Sequence, residues 1–134
     1  MRTLVSRIIG AALVVLAVSA RSASAHHAVQ AEFDQSKKAT ITGVMTRVLW
    51  VNPHVRWTMD VKNEKTGKVE TWDLLGGAPG GFRALGITSK DVFKVGETYT
   101  AIVALARDGS TTGHVFAFIL PDGRKIDMWQ QYSQ

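Results

Sequence analysis

From His54 to Lys62 apolar and polar residues alternate without a break. Val55, Trp57, Met59 and Val61 point one way, and His54, Arg56, Thr58 and Asp60 the other. A period of two is the mark of a strand with one buried face. Turn residues bound it on both sides, Asn52-Pro53 before it and the polar stretch Lys62 to Gly67 after it. The chain around this strand has the same character. Ala39 to Val51, rich in Thr, Val, Ile and Trp, predicts a long first strand. Val44, Thr46, Val48 and Trp50 share one face of it, and Gly43 marks a bulge or sharp coil. Lys68 to Leu75 is a third strand with Trp72 and Leu74 turned to the core. After a glycine-rich loop, Phe82 to Leu85 makes one or two helical turns, stopped by Gly86. Thr98 to Ala106 and His114 to Leu120 are the next strands. In the latter, Val115, Ala117 and Ile119 lie on one side and His114 faces solvent. Lys125 to Trp129 reads as a short terminal strand.

Three meandering strands, a short helix and two more strands give an all-β chain with one short helix. That is the element order of a small OB-like five-stranded barrel, in which a long coiled first strand serves both sheets. A plain antiparallel sandwich is the alternative.

The N-terminus carries a different message. Arg2 and Arg7 precede an apolar run, Ile8 to Val18, and Ala23-Ser24-Ala25 offers a small-residue cleavage site. Those are the three parts of a secretory signal peptide. The run is shorter than the roughly 20 residues of a membrane span, so no stable membrane anchor is expected after cleavage. Residues 1–25 are therefore read as a signal peptide, 26–38 as a polar lead-in and 39–134 as the barrel domain, with the product exported to the periplasm or secreted. Removing the first 25 of 134 residues leaves 109, enough for a modest core. The chain has no Cys, so packing rather than disulfides must stabilise it, and thiolate metal sites are excluded.

The formal charge of +5 overstates the basicity of the exported form. Arg2, Arg7 and Arg21 leave with the signal, taking the 16 basic residues to 13 against 11 acidic. The remaining charges alternate in sign, as a solvated surface does, so no nucleic-acid partner is expected. Enzyme signatures are absent. Ser89, Ser110 and Ser133 lack a nucleophile elbow, there is no H-E-x-x-H, and the glycine-rich loop at 76–81 lacks the G-K-[ST] ending of a phosphate loop.

Two binding chemistries stay open. Cleavage after Ala25 makes His26 the first residue, so its α-amine and ring form a bidentate nitrogen chelate. His54 would supply a third nitrogen, with His27 as a substitute, and such a nitrogen-rich set suits copper. Thirteen extended lead-in residues span ~40 Å, about the length of the expected first strand, so the terminus can return to His54. The other reading is a metal-free interaction module for a small ligand, a glycan or a protein. Arg56, Thr58 and Asp60, with Trp57 among them, are its candidate ligand-binding residues, because this strand face is a usual OB binding surface. Trp50, Trp57 and Trp72, from three consecutive strands, are either core aromatics or the wall of a ligand groove.

Some of these residues fall into a pattern: Ala25-His26-His27, Glu32-Phe33-Asp34, Trp50-x-Asn52-Pro53-His54, Asp108-Gly109 and Asp122-Gly123-Arg124. On these the chain resembles a family of small exported bacterial proteins, a domain of unknown function widespread in proteobacteria. The resemblance covers essentially the whole chain, and its most specific parts are the A-H-H start and W-x-N-P-H. It implies export and a small β fold. It also implies an acidic residue about where Leu75 stands, followed by G-x-P. Here Leu74-Leu75-Gly76-Gly77-Ala78-Pro79 keeps the Gly and Pro without the acid.

Overall fold

The computed structural model describes residues 29–128. Residues 1–28, which include the segment expected to be a signal peptide and His26 and His27, and residues 129–134, which include Trp129, lie outside the described residues. Two compact units divide the chain, Met1–Glu32 and Phe33–Gln134. Of the first, residues 29–32 form a helical turn. The second is a barrel of β1 (Phe33–Leu49), β2 (Arg56–Lys62), β3 (Val69–Leu75), β4 (Thr98–Ala106) and β5 (Thr112–Ile119), with a short β6 (Lys125–Asp127) appended. Short 3₁₀ segments at Pro79–Leu85 and Lys90–Val92 bridge β3 and β4. No helix among the described residues is long and apolar enough to cross a membrane.

The strands run in the order β3-β2-β1-β4-β5-β6, and β3 pairs again with β5, which closes the ring. That closing pair is parallel and the other pairings are antiparallel. The closed five-stranded ring is the OB-like arrangement expected from the element order. Its pivot is β1. Gly43 pairs with Val61 on one side and Tyr99 on the other, and Val44 with Asp60 and Thr98. At Gly43 the crossing is close: a Cβ there would meet the carbonyl oxygen of Asp60 and lie 2.8 Å from Val61 Cγ2. The glycine thus serves close approach, while the bulge expected there lies three residues on.

β1 departs from the expected reading in two ways. It starts at Phe33, six residues before Ala39, because Phe33 is buried and pairs with Ala106. Between Asp34 and Lys38 the register breaks, and Asp34 accepts hydrogen bonds from the amide and hydroxyl of Ser36. That polar kink hides the strand from a periodicity argument. The second departure is the inward face. Ile41 and Met45 are buried, while Val44 is 41% exposed and Thr46 is exposed. A register shift between Met45 and Arg47 places an extra residue in β1 and inverts the alternation. Val48 and Trp50, beyond it, pack against the core as expected.

The core is aromatic at its centre. Trp57 is 0% exposed, with the rings of Phe118, Phe93 and Phe82 at 5.0, 5.2 and 5.9 Å. Phe82 comes from the 3₁₀ segment that ends at Gly86, which covers one end of the barrel. β5 also differs from expectation. A shift in its pairing with β4, between Ile102 and Val103, lets Val115 and Phe118 both join the core, and the strand is buried almost throughout.

Candidate functional site

The outer face of β2 is a network of short polar side chains. Thr58 Oγ1 donates to Asp73 Oδ1 at 3.1 Å, and Thr71 Oγ1 donates to Asp60 Oδ1 at 2.9 Å. Thr46 Oγ1 donates to the Thr58 carbonyl at 3.1 Å. The pairs follow from register, since Thr58 lies opposite Asp73 and Asp60 opposite Thr71. Thr58 and Asp60 therefore already satisfy one another's neighbours across the sheet, and Arg56 stands exposed beside them. Trp57 does not belong to this surface. It points the other way, as alternation demands, and its burial under Phe82 and Phe93 corrects its assignment to a ligand face. Clefts occur elsewhere. One of about 490 Å³ is lined by Gln35, Lys38, Phe116 and Lys125 among others, and one of about 380 Å³ by Val48, Phe93 and Val95 with neighbouring residues. Arg56, Thr58 and Asp60 line neither.

A second cluster forms where β3 meets β5. His54 lies in the β1–β2 connection, just before β2. The backbone there is tied to the end of β3: Val55 N–H donates to the Gly77 carbonyl and Gly76 N–H to the Val55 carbonyl, both at 2.9 Å. His54 Nδ1 lies 3.1 Å from the Gly76 carbonyl oxygen. A carbonyl can only accept, so Nδ1 carries a proton, and in the neutral ring the lone pair is on Nε2. Residue 76 has no room for a side chain: a Cβ there would sit 2.5 Å from the Trp57 ring.

His114 arrives from β5. It pairs with Leu75, the residue before Gly76, across the parallel closure. The structure overturns the expectation that it faces solvent: it is 2% exposed, with the rings of Phe33 at 5.8 Å and Phe116 at 6.3 Å. Burial is the main reason its pKa is pushed down to about 4, and the nearby charge of His54 adds to the shift. His114 is thus neutral at neutral pH. Sequence reasoning set this histidine at the start of its strand, on the solvent side. The signal was the unbroken run Val115 to Leu120, which suits a strand buried on both faces and so extends burial to its neighbour.

Among the described residues no group of three or more His, Cys, Asp or Glu side chains could hold a metal ion.

Comparison with known proteins places the chain in a family. The profile of a family of unknown function, DUF6152, matches residues 12–116. The chain belongs to this family. The match takes in part of the apolar N-terminal run, His54, His114, the strands β1 to β4 and the first part of β5. No curated protein matches this family member. Among solved structures, it is similar to the mitochondrial single-stranded DNA binding protein Rim1 of S. cerevisiae, with a TM-score of 0.48 and 9% identity over 63% of this chain and 93% of that one.

Proposed function

We propose that the protein is an exported, periplasmic binding protein that holds copper through its mature N-terminus and His54. In this reading signal cleavage exposes His26, whose α-amine and ring give two nitrogens, and His54 Nε2 gives the third, with His27 as the substitute. The observation that carries it is the His54 Nδ1–H bond to the Gly76 carbonyl. A backbone partner on one ring nitrogen is how metal-binding histidines are held in the tautomer that presents the other. Reach supports it further. Six residues lie between His26 and Phe33, and the Phe33 ring lies 5.8 Å from that of His114, on the strand that pairs with the end of β3 beside His54. The earlier start of β1 makes the return far shorter than a lead-in ending at Lys38 would need.

A metal-free interaction module on the β2 face is the weaker reading, because Thr58 and Asp60 are engaged with Asp73 and Thr71. Arg56 alone leaves little to recognise a ligand there.

The test is a copper(II) titration followed by electron paramagnetic resonance. It uses protein secreted and cleaved in a bacterial host, with its N-terminus established by mass spectrometry. One tight site with nitrogen hyperfine structure is expected. Since even an outer-shell change weakens metal binding by about 10–100-fold, loss of a ligand in His54→Ala, or of the free amine through one added N-terminal residue, should weaken it at least that much. Binding that ignores both changes removes the proposal and returns attention to the β2 face.

A further inference from the structure

We propose that the cleft on the outer face of β1, β4, β5 and β6 binds an amphipathic carboxylate of the fatty-acid type, with its head on Lys38 and its chain across Ile102 and Ala117. The inference is independent of the copper reading: it uses none of the histidines and needs no metal.

Register builds the face. Thr40 lies opposite Ile102, Ile102 opposite Ala117 and Ala117 opposite Asp127, so one row of side chains crosses four adjacent strands. Their neighbours Ile41, Ala101, Val103 and Phe118 belong to the core, which puts the row on the outside of the barrel. The row dips at Ala117, which carries only a methyl group between Ile102 and Asp127. A bulge raises the ground beside it. Pairing passes from Ile102–Ala117 to Val103–Val115, so Phe116 is the extra residue of β5, and its ring lines the outer cleft. β1 adds Gln35 and Lys38, within and at the end of its own register break. The cleft between them measures about 490 Å³, the size of a small-ligand site.

The charges of the cleft call for an anion. Lys38 Nζ lies over the Phe116 ring, 4.5 Å from its centroid, and among the described residues no carboxylate forms an ion pair with it. A ring face holds an ammonium in place without neutralising it. At the β6 end Lys125 is paired with Asp127 at 3.8 Å, so those two charges offset each other. One positive charge is left above an apolar floor of Ile102 and Ala117. A bare anion leaves that floor in water, and a plain hydrocarbon leaves the ammonium unmatched. A carboxylate with an apolar chain satisfies both, and the Gln35 side-chain amide on the same strand is a further donor for its head. Length selects the chain. From β1 to β6 is three strand spacings, about 14 Å, which suits an extended chain such as that of decanoate rather than a compact ring.

The decisive experiment is a titration of the secreted, cleaved protein with decanoate below its micelle concentration, followed by amide chemical shifts in two-dimensional nuclear magnetic resonance. Decanol, the chain without the charge, and acetate, the charge without the chain, are titrated beside it. Saturable shifts centred on Lys38, Ile102 and Ala117 are expected from decanoate. Decanol on the wild-type protein, and decanoate on Lys38→Gln, should each bind at least about 10-fold more weakly, the scale of one charge-assisted hydrogen bond. Lys38→Arg keeps the charge and should keep most of the affinity. Lys38 is exposed, so these variants leave the core untouched, and the comparison of the three ligands needs no variant at all. Shifts that do not saturate, or that centre on another face, overturn the site. So does acetate binding as tightly as decanoate, or an affinity for decanoate that Lys38→Gln leaves unchanged.

Discussion

At the scale of single residues, the cluster at the β3–β5 seam concentrates the unusual chemistry of the described barrel. His114 is the clearest case, because its imidazole is kept neutral by burial. In the metal-free protein this couples stability to pH. The folded-state pKa is about 4, below the ordinary 6.5 that the unfolded chain shows. Above pH 6.5 both states are neutral and stability does not depend on this group. As pH falls from 6.5 towards 4 the unfolded chain takes a proton that the folded one refuses, so stability declines. Below about 4 both are protonated and the decline ends. The full loss is on the order of 3 kcal/mol. Urea denaturation across this range should show it, and His114→Gln should flatten the dependence whatever its stability at pH 7; an equal slope in the variant would show that other groups cause the decline. Gly76 is the second residue of interest. In Gly76→Ala the new methyl meets the Trp57 ring, which is caged by three phenylalanines and cannot yield. A loss of about 1–3 kcal/mol is expected from overpacking, read as a lower urea midpoint with unchanged slope.

At the scale of elements, β1 determines how the barrel is built. It pairs with β4 along its first part and with β2 along its last, and only Gly43 and Val44 pair on both sides. Gly43→Ala should cost about 1–3 kcal/mol, since its Cβ would press on the backbone of Asp60 rather than on a movable side chain. Phe33→Ala should cost about 3–5 kcal/mol, because the ring is fully buried at the start of the strand and covers His114. Chemical denaturation measures both. A value under 1 kcal/mol for Phe33→Ala would mean that the first residues of β1 do not dock as described. β2 and β3 were legible in the sequence because each keeps its alternation throughout, with Trp57, Met59 and Leu74 buried and Trp72 half-buried against the core. β1 and β5 were less so. In each, one irregularity in pairing reverses which residues face inward, and nothing in the residue types announces it.

At the scale of the whole molecule, the parallel contact of β3 with β5 turns a curved sheet into a closed ring. Asp73 N–H donates to the Thr111 carbonyl at 3.0 Å and Thr111 Oγ1 to the Thr71 carbonyl at 2.8 Å, extending the seam. One aromatic cluster draws on β2, β4, β5 and the 3₁₀ segment together, through Trp57, Tyr99, Phe118 and Phe82. A core shared in this way predicts a single cooperative transition. Far-ultraviolet circular dichroism, which follows the strands, and near-ultraviolet dichroism, which follows the aromatic packing, should lose their signals at the same temperature. Separate midpoints would mean that the strands outlast the packing of the aromatic core.

The order of the strands, the helical segment ended by Gly86 and the ring-shaped architecture followed from local pattern, because period-two alternation and turn residues act between near neighbours. His54 was legible as a candidate for the same reason, standing in a turn beside a clear strand. The placement of His54 and His114 against the same strand end was not. Sixty residues separate them, and only the closure of β3 on β5, a long-range pairing with no local signature, brings them to one seam and removes His114 from water. The burial of Trp57 away from Arg56, Thr58 and Asp60 was decided jointly: alternation turned it inward, and the phenylalanines that close over it come from parts of the chain that only the folded barrel assembles.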